Sequence, residues 1–176
     1  RLLTTFAVFR ADQDGLATPT GEYNEYGSYV YAPVDVRSKG VELEAVGRLG
    51  EHLDVVFGVT ALELDGLDGE DTYPWVPRRT ANLQLAGRVP SVPALGWGVA
   101  GRWQSGVWNT ESSGFRVRQE AYEVVDAFVS WELRPNATLR LNVRNLGDRK
   151  YINTLRYSGY YGAPANYTLS FDWRFQ

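Results

Sequence analysis

The 176 residues make one ordinary domain's worth of chain, and a net charge of −3 offers nothing to nucleic acid. Cys is absent, which excludes disulfides and thiolate metal sites, and no run of ~18 apolar residues exists to cross a membrane as a helix. Aromatic residues reach 14%, with 11 Tyr and 6 Trp beside 18 Gly, which suits a sheet protein with wet interfaces.

Met is also absent, and Arg1-Leu2-Leu3-Thr4 lacks the basic, apolar and small-residue sections of a signal peptide. A processed product or a fragment is therefore expected.

In chain order, residues 2–10 read as a strand of ambiguous parity, followed by the longest connection, 11–36. Val41, Leu43 and Ala45 then oppose Glu42, Glu44 and Arg48, and a tight turn at 50–52 leads to Leu53, Val55, Phe57, Val59 and Ala61. A long connection, 65–77, precedes Ala81, Leu83 and Leu85, which oppose Asn82, Gln84 and Arg88. After a shorter stretch at 90–94 come Leu95, Trp97, Val99 and Trp103, opposite Arg102 and Gln104. Residues 107–120 are long again, before Val125, Ala127, Val129, Trp131 and Leu133. The turn at 134–137 leads to Leu139, Leu141 and Val143, and the long stretch 147–165 to Tyr167, Leu169, Phe171, Trp173 and Phe175. Apolar residues recurring at two, and never at three or four, predict about eight strands and no helix.

Long and short connections alternate, so all the long ones fall at one end of the sheet. Outer-membrane barrels sort their loops this way, with short periplasmic turns and long extracellular loops. The alternation alone leaves open which face is dry, and a soluble lipocalin-type barrel would bury the apolar parity. Three features favour lipid. Strand length is about 9–11 residues, as a tilted spanning strand requires. Trp97, Trp131, Trp173 and Phe175 share the apolar parity near the short-turn end, as a membrane girdle would. Arg and Glu occupy mid-strand positions on the other parity, where pairs such as Glu42/Arg48 and Asp126/Arg140 could form charge networks in a watery lumen.

Four stretches then carry a resemblance: "SKGVELEAVGRL" (38–49), "YPWVPRRTANL" (73–83), "LNVRNLGDRKY" (141–151) and "YGAPANYTLSFDWRF" (161–175). In this order and at these spacings the chain resembles TonB-dependent outer-membrane receptors, most closely the ferric-siderophore receptors. It departs at Ala165, where many siderophore receptors carry arginine, and at Gln176, one residue past the usual terminal aromatic.

The resemblance implies an all-β, antiparallel transmembrane β-barrel segment in the bacterial outer membrane. Residues 1–176 would be the C-terminal third or so of a barrel of about 22 strands, without its plug domain. Standing alone, such a segment would leave two unpaired sheet edges. The implied function is active uptake of a ferric siderophore, the transported ligand, with no cofactor bound by this segment. Implied partners are TonB, acting through the missing plug, the barrel-assembly machinery at the C-terminal strand, and outer-membrane lipid and lipopolysaccharide, with Arg78 and Arg79 as candidate phosphate contacts. Two rivals remain: a complete small eight-stranded outer-membrane protein with a structural or adhesive role, and a soluble ligand-binding barrel.

The long connections are rich in aromatics: Tyr23, Tyr26, Tyr29 and Tyr31; Tyr73 and Trp75; Trp108; Tyr157, Tyr160 and Tyr161. Such rings can stack on a planar or catecholate ligand, and Arg116, Arg118 and Arg156 could pair with an anionic ferric chelate. Arg156 with Tyr157, Tyr160 and Tyr161 forms the preferred cluster, joined by Trp108, Arg116, Tyr73 and Trp75. The acidic run 65–71 lacks the spacing of a calcium loop and reads as solvated, and the single histidine, His52, sits in a turn. No metal site is expected. Gly-x-Ser-x-Gly, a Walker loop and a zinc motif are absent, so an enzyme is not expected.

Overall fold

The structure is a computed structural model and describes residues 1–66, 72–110, 114–156 and 159–175. Eight strands form one antiparallel meander: β1 (Leu2–Tyr23), β2 (Tyr29–Leu49), β3 (Leu53–Gly66), β4 (Arg79–Val89), β5 (Val92–Gln104), β8 (Tyr122–Arg134), β9 (Ala137–Arg144) and β12 (Asn166–Trp173). Four short strands lie within the long connections and pair in twos: β6 (Val107–Thr110) with β7 (Arg116–Gln119), and β10 (Ile152–Thr154) with β11 (Tyr160–Tyr161).

Register aligns the apolar parities of all eight strands on one face. Phe6, Leu43, Val59, Ala81 and Trp103 form one cross-strand row, and Trp97, Val129, Leu141 and Leu169 another. This settles the ambiguous first strand, because pairing Phe6 with Leu43 puts Leu2, Phe6 and Val8 on the apolar side. A one-residue slip would send every one of these side chains to the other face.

That face is open. Leu169 is 66% exposed and Trp131 52%, and among the described residues no side chain is fully buried. A soluble barrel would bury this parity, and a small closed barrel would pair its first and last strands. Here β1 and β12 are two separate sheet edges. At the short-turn end, Trp173 packs edge-on against Phe171 and stacks with Phe175, each at 5.9 Å between centroids.

The connections sort as the sequence predicts, with one correction. Residues 11–36 are not a loop. Both strands continue outward until a five-residue turn, in which the Asn24 side-chain oxygen accepts the N–H groups of Tyr26 and Ser28 at 3.0 and 2.9 Å. Gly15, at φ +67°, sits in a bulge where its N–H donates to Asp35 at 2.7 Å. Beyond Val36, which pairs with Gly66 at the end of β3, β1 and β2 pair only with each other among the described residues, for about 20 Å.

On this outer stretch the character of the exposed face changes twice. The row Val8–Val41–Ala61 is apolar, and the next is Arg10–Lys39–Glu63, with Lys39 and Glu63 paired at 2.8 Å. Above it Asp12 receives Arg37 at 2.7 Å and Arg10 at 3.0 Å. Further out on the same side of β2 stand Pro33, Tyr31 and Tyr29, all exposed, while Val30, Ala32, Val34 and Val36 on the other side are half-buried or buried.

The polar face carries local pairs, not the expected ones. Register sets Arg48 opposite Asp54, and these pair at 2.7 Å instead of Arg48 with Glu42. Arg88 pairs with Glu132. Arg140 does not reach Asp126: its guanidinium lies 3.8 Å above the Phe128 ring and donates to Asn142 at 3.0 Å. Phe128 in turn fills the space that a side chain at Gly98 would need.

Candidate functional site

The end of the sheet with the long connections is built on a knot at Asn145. This residue has φ +50°, is 3% exposed, and follows directly on β9. Its N–H donates to the Asp126 carboxylate at 2.7 Å, and its side-chain amide donates to the carbonyls of Arg149 and Ala163 at 3.0 and 2.9 Å. Its side-chain oxygen accepts the Arg149 N–H at 2.8 Å. Three residues on, Asp148, also at positive φ, accepts the Ala165 N–H at 2.9 Å. The Asn-Leu-Gly-Asp run is thus a clamp that returns the chain from β9 to β12. Asn and Asp suit it because they tolerate the left-handed conformation and bond to nearby backbone.

Beside the clamp, Tyr122 at the outer end of β8 stacks on Tyr151, centroids 4.5 Å apart. Together with Val124 these rings make the buried cluster of the described residues. Arg102 donates to the Tyr151 hydroxyl at 2.6 Å, and Tyr122 donates to Gln104 at 3.1 Å. Gly162 passes so close to the Tyr151 ring that no side chain fits there.

From this base the connections are tied edge to edge. The Tyr73 hydroxyl meets Thr18 of β1 at 3.2 Å, and Tyr73 packs edge-on against Trp75 at 5.2 Å. The Pro74 carbonyl accepts the Trp108 N–H at 3.1 Å. Next along, the Asn109 side-chain amide donates to the carbonyls of Leu155 and Arg156 at 2.7 and 3.0 Å. Gln119 accepts the Ile152 N–H at 2.7 Å. Three connections and the β1–β2 hairpin therefore form one continuous surface.

Most of the sequence-predicted residues lie along this surface. Trp108 and Arg116 face each other across the β6–β7 pair, with the guanidinium 4.1 Å from the ring centroid. Arg156 is exposed beside the Asn109 contact. Tyr160 and Tyr161 belong to β11, and Tyr161 is 79% exposed. Tyr157 lies outside the described residues, as do 67–71 of the acidic run. Tyr29 and Tyr31 stand on the side of the hairpin opposite to half-buried Val34 and buried Val36. Arg78 is occupied with the carbonyls of Leu64, Thr72, Tyr73 and Val76, whereas Arg79 is exposed on the parity of Ala81. Among the described residues no group of three acidic or histidine side chains could hold a metal ion.

Sequence reasoning missed Asn109, the Tyr122–Tyr151 stack and a groove in the polar face. The groove encloses about 380 Å³ between Gln84, Gly98, Ala100, Asp126, Phe128 and Arg144. Its signal was present: small residues at Gly98 and Ala100 alternate with large ones on the other parity.

The family described as "TonB dependent receptor-like, beta-barrel" matches residues 1–146. Over 188 residues the chain is 26% identical to the ferripyoverdine receptor of Pseudomonas aeruginosa, covering 99% of this chain and 23% of the receptor. It is 28% identical to the ferrioxamine B receptor of Salmonella typhimurium, over 96% of this chain and 25% of the receptor. A crystal structure of the Pseudomonas ferripyoverdine receptor of the outer membrane superimposes with a TM-score of 0.86 at 24% identity, over 98% of this chain and 25% of that one. The ferric-catecholate import receptor Fiu of Escherichia coli does so with a TM-score of 0.80, again at 24% identity, over 99% and 25%. The chain thus spans about a quarter of the length of these relatives. Together with the open apolar face and the sorted connections, the match to residues 1–146 gives the conclusion: the chain belongs to the TonB-dependent receptor-like β-barrel family of the bacterial outer membrane.

Proposed function

We propose that residues 1–176 form the C-terminal wall strands and part of the outer vestibule of a transporter that takes up a ferric siderophore. The single observation that carries this is the continuous surface from Tyr73 to Arg156, in which rings and guanidinium groups stand together at the mouth of the wall. Trp108 with Arg116, and Arg156 with Tyr160 and Tyr161, offer flat faces and positive charge to an anionic chelate. The named relatives, which bind pyoverdine, ferrioxamine and catecholate complexes, support the same ligand class.

In this reading a plug outside the present chain fills the polar side, and TonB works on that plug. The iron complex is cargo. Trp97, Trp131, Trp173 and Phe175 form the periplasmic girdle, where amphipathic rings are at home. The exposed Phe171–Trp173–Phe175 ladder, on β12 and just past its end, is the surface offered to the barrel-assembly machinery. Arg79, and not Arg78, faces the lipopolysaccharide phosphates.

The test is uptake of radioactive iron by cells whose only siderophore receptor is the full-length protein. Hydroxamate, catecholate and mixed pyoverdine-type complexes are offered in turn, with and without TonB. TonB-dependent uptake of at least one class is expected; uptake of none of them, with the receptor in the membrane, would sink the proposal.

A further inference from the structure

Charge is divided unevenly around the long-connection end of the sheet. Residues 11–35 carry Asp12, Asp14, Glu22, Glu25 and Asp35 and neither Lys nor Arg, and residues 65–77 add four more acids, again with neither. Residues 105–121 balance Glu111 and Glu120 against Arg116 and Arg118, and residues 145–165 set Asp148 against Arg149, Lys150 and Arg156. The flanking Arg10, Arg37, Arg78 and Arg79 offset fewer than half of the nine acids.

Strand order turns this composition into geometry. The acidic stretches are the β1–β2 hairpin and the β3–β4 connection, while the other two join β5 to β8 and β9 to β12, so each kind occupies its own half of the mouth. Asp14, Glu22 and Glu25 are exposed and form no ion pair among the described residues, whereas Asp12 is held by Arg10 and Arg37. On the other half Arg116, Arg149, Lys150 and Arg156 are exposed, and Arg118 pairs with Glu120 at 2.9 Å. The halves meet where the Pro74 carbonyl accepts the Trp108 N–H. There the Tyr73 hydroxyl reaches Thr18 on the acidic side, and Arg116 lies over the Trp108 ring on the basic side.

A ligand seated at that junction meets opposite signs at its two ends. We infer that the mouth selects siderophore complexes carrying a cationic group, an ammonium or guanidinium, on an arm apart from the iron-binding atoms. The iron-binding oxygens face Arg116 at Trp108, and the arm points towards the β1–β2 hairpin. Such complementarity acts mainly on encounter and against wrong partners. Hydroxamate groups balance the charge of ferric iron, whereas catecholate groups leave a large negative surplus. A bare catecholate complex is therefore repelled on its way in, and a complex with a neutral centre and a cationic arm is drawn. The acids act as a field, since they are spread along about 20 Å of hairpin and no three of them converge on a metal site among the described residues.

This selection rests on the proposed uptake of a ferric siderophore, and one experiment separates the two. Full-length receptor in detergent is mixed with iron complexes of a linear trihydroxamate that ends in a free amine, in an acetylated amine or in a succinylated one. A second set places the same ends on a catecholate chelator. Quenching of tryptophan fluorescence gives association rates at low and high ionic strength, and uptake by cells is measured for the same complexes.

At low ionic strength the amine form should associate about tenfold faster than the acetylated form of the same chelator, with the succinylated form slowest. High salt should close most of that gap. Asp14→Asn, Glu22→Gln and Glu25→Gln together should bring the amine form down towards the acetylated rate, and an unfolding midpoint shows that the variant is intact. The parent alone, with its three ends and two salt concentrations, decides without the variant. Equal rates for the three ends overturn the selection while uptake stands, as does a gap that salt or the triple variant leaves untouched. Faster association of the acetylated catecholate than of every amine-bearing complex does the same. Binding and uptake of none of the complexes overturns the selection and the proposed uptake together.

Discussion

The carboxylate of Asp126, inside β8, accepts the backbone N–H of Asn145 at 2.7 Å and so closes the end of β9 onto its neighbour. Asn145 is the hub of the clamp, since its side chain satisfies three further backbone groups while its own backbone holds φ +50°. Asn145→Ala removes those bonds and adds a left-handed penalty, costing about 2–4 kcal/mol. Asn145→Gly relieves the backbone alone and should cost less. Heat-modified gel mobility of the full-length receptor reads both, and equal midpoints for the alanine variant and the parent would show that the clamp is dispensable.

Gly162 and Tyr151 form a second such pair. A methyl group at position 162 must displace the Tyr151 ring, and with it the Tyr122 stack and the Arg102 hydrogen bond. Gly162→Ala is therefore expected to expose residues 145–165 to protease and to lower stability by about 1–3 kcal/mol. Tyr151→Ala in the same chain makes room for the methyl group. If the double variant is cut faster than Gly162→Ala alone, the clash is not the cause.

Acid should act on the hairpin in one direction. Arg37 first, and Arg10 second, hold the Asp12 carboxyl below its ordinary value of 3.8. A carboxylate with a lowered folded-state pKa contributes stability that is complete above the unfolded value and is lost as pH falls through the folded one. Hydrogen exchange of residues 13–23, corrected for intrinsic rate, should stay level from pH 7 to about 5 and quicken only below the ordinary aspartate value. Asp12→Asn should be quick throughout. Quickening already between pH 7 and 5 would point to a different group.

The parts legible from sequence are those written in a two-residue period. Val55, Phe57 and Val59 announce their face without any neighbour, and the sorting of turns follows from counting between such runs. Register is not written there: Arg48 has acidic candidates on both sides, and only the Leu49↔Leu53 pairing selects Asp54. The hairpin was hidden by its breakers. Gly15, Pro19, Gly27 and Pro33 read as loop, yet two register shifts in β1 absorb the irregularity and Asp35 holds the Gly15 N–H. The site fared similarly. Ring and guanidinium residues were visible as a composition, but the bonds that join them span 46 residues for Asn109 to Leu155 and 55 for Thr18 to Tyr73, and no local pattern reports such pairs.

Those long-range bonds carry the last prediction. Among the described residues the Asn109 side chain bonds to backbone groups, and it fastens the β6–β7 connection to the carbonyls of Leu155 and Arg156. If the surface works as one unit, Asn109→Ala should weaken binding of the transported complex by about fivefold to tenfold, through freedom gained by Trp108 and Arg156 in the empty receptor. Arg116→Ala should weaken it by a similar factor through direct loss of charge, and in a salt-dependent way. Salt therefore separates the two: the Asn109 loss persists at high ionic strength, while the Arg116 loss shrinks as the parent's own affinity falls. Arg116→Ala should keep the parent's unfolding midpoint, because Arg116 is exposed on a strand pair outside the eight-stranded sheet. Isothermal titration of the full-length receptor at two salt concentrations measures this directly. A normal affinity for Asn109→Ala would mean that the connections bind their ligand independently.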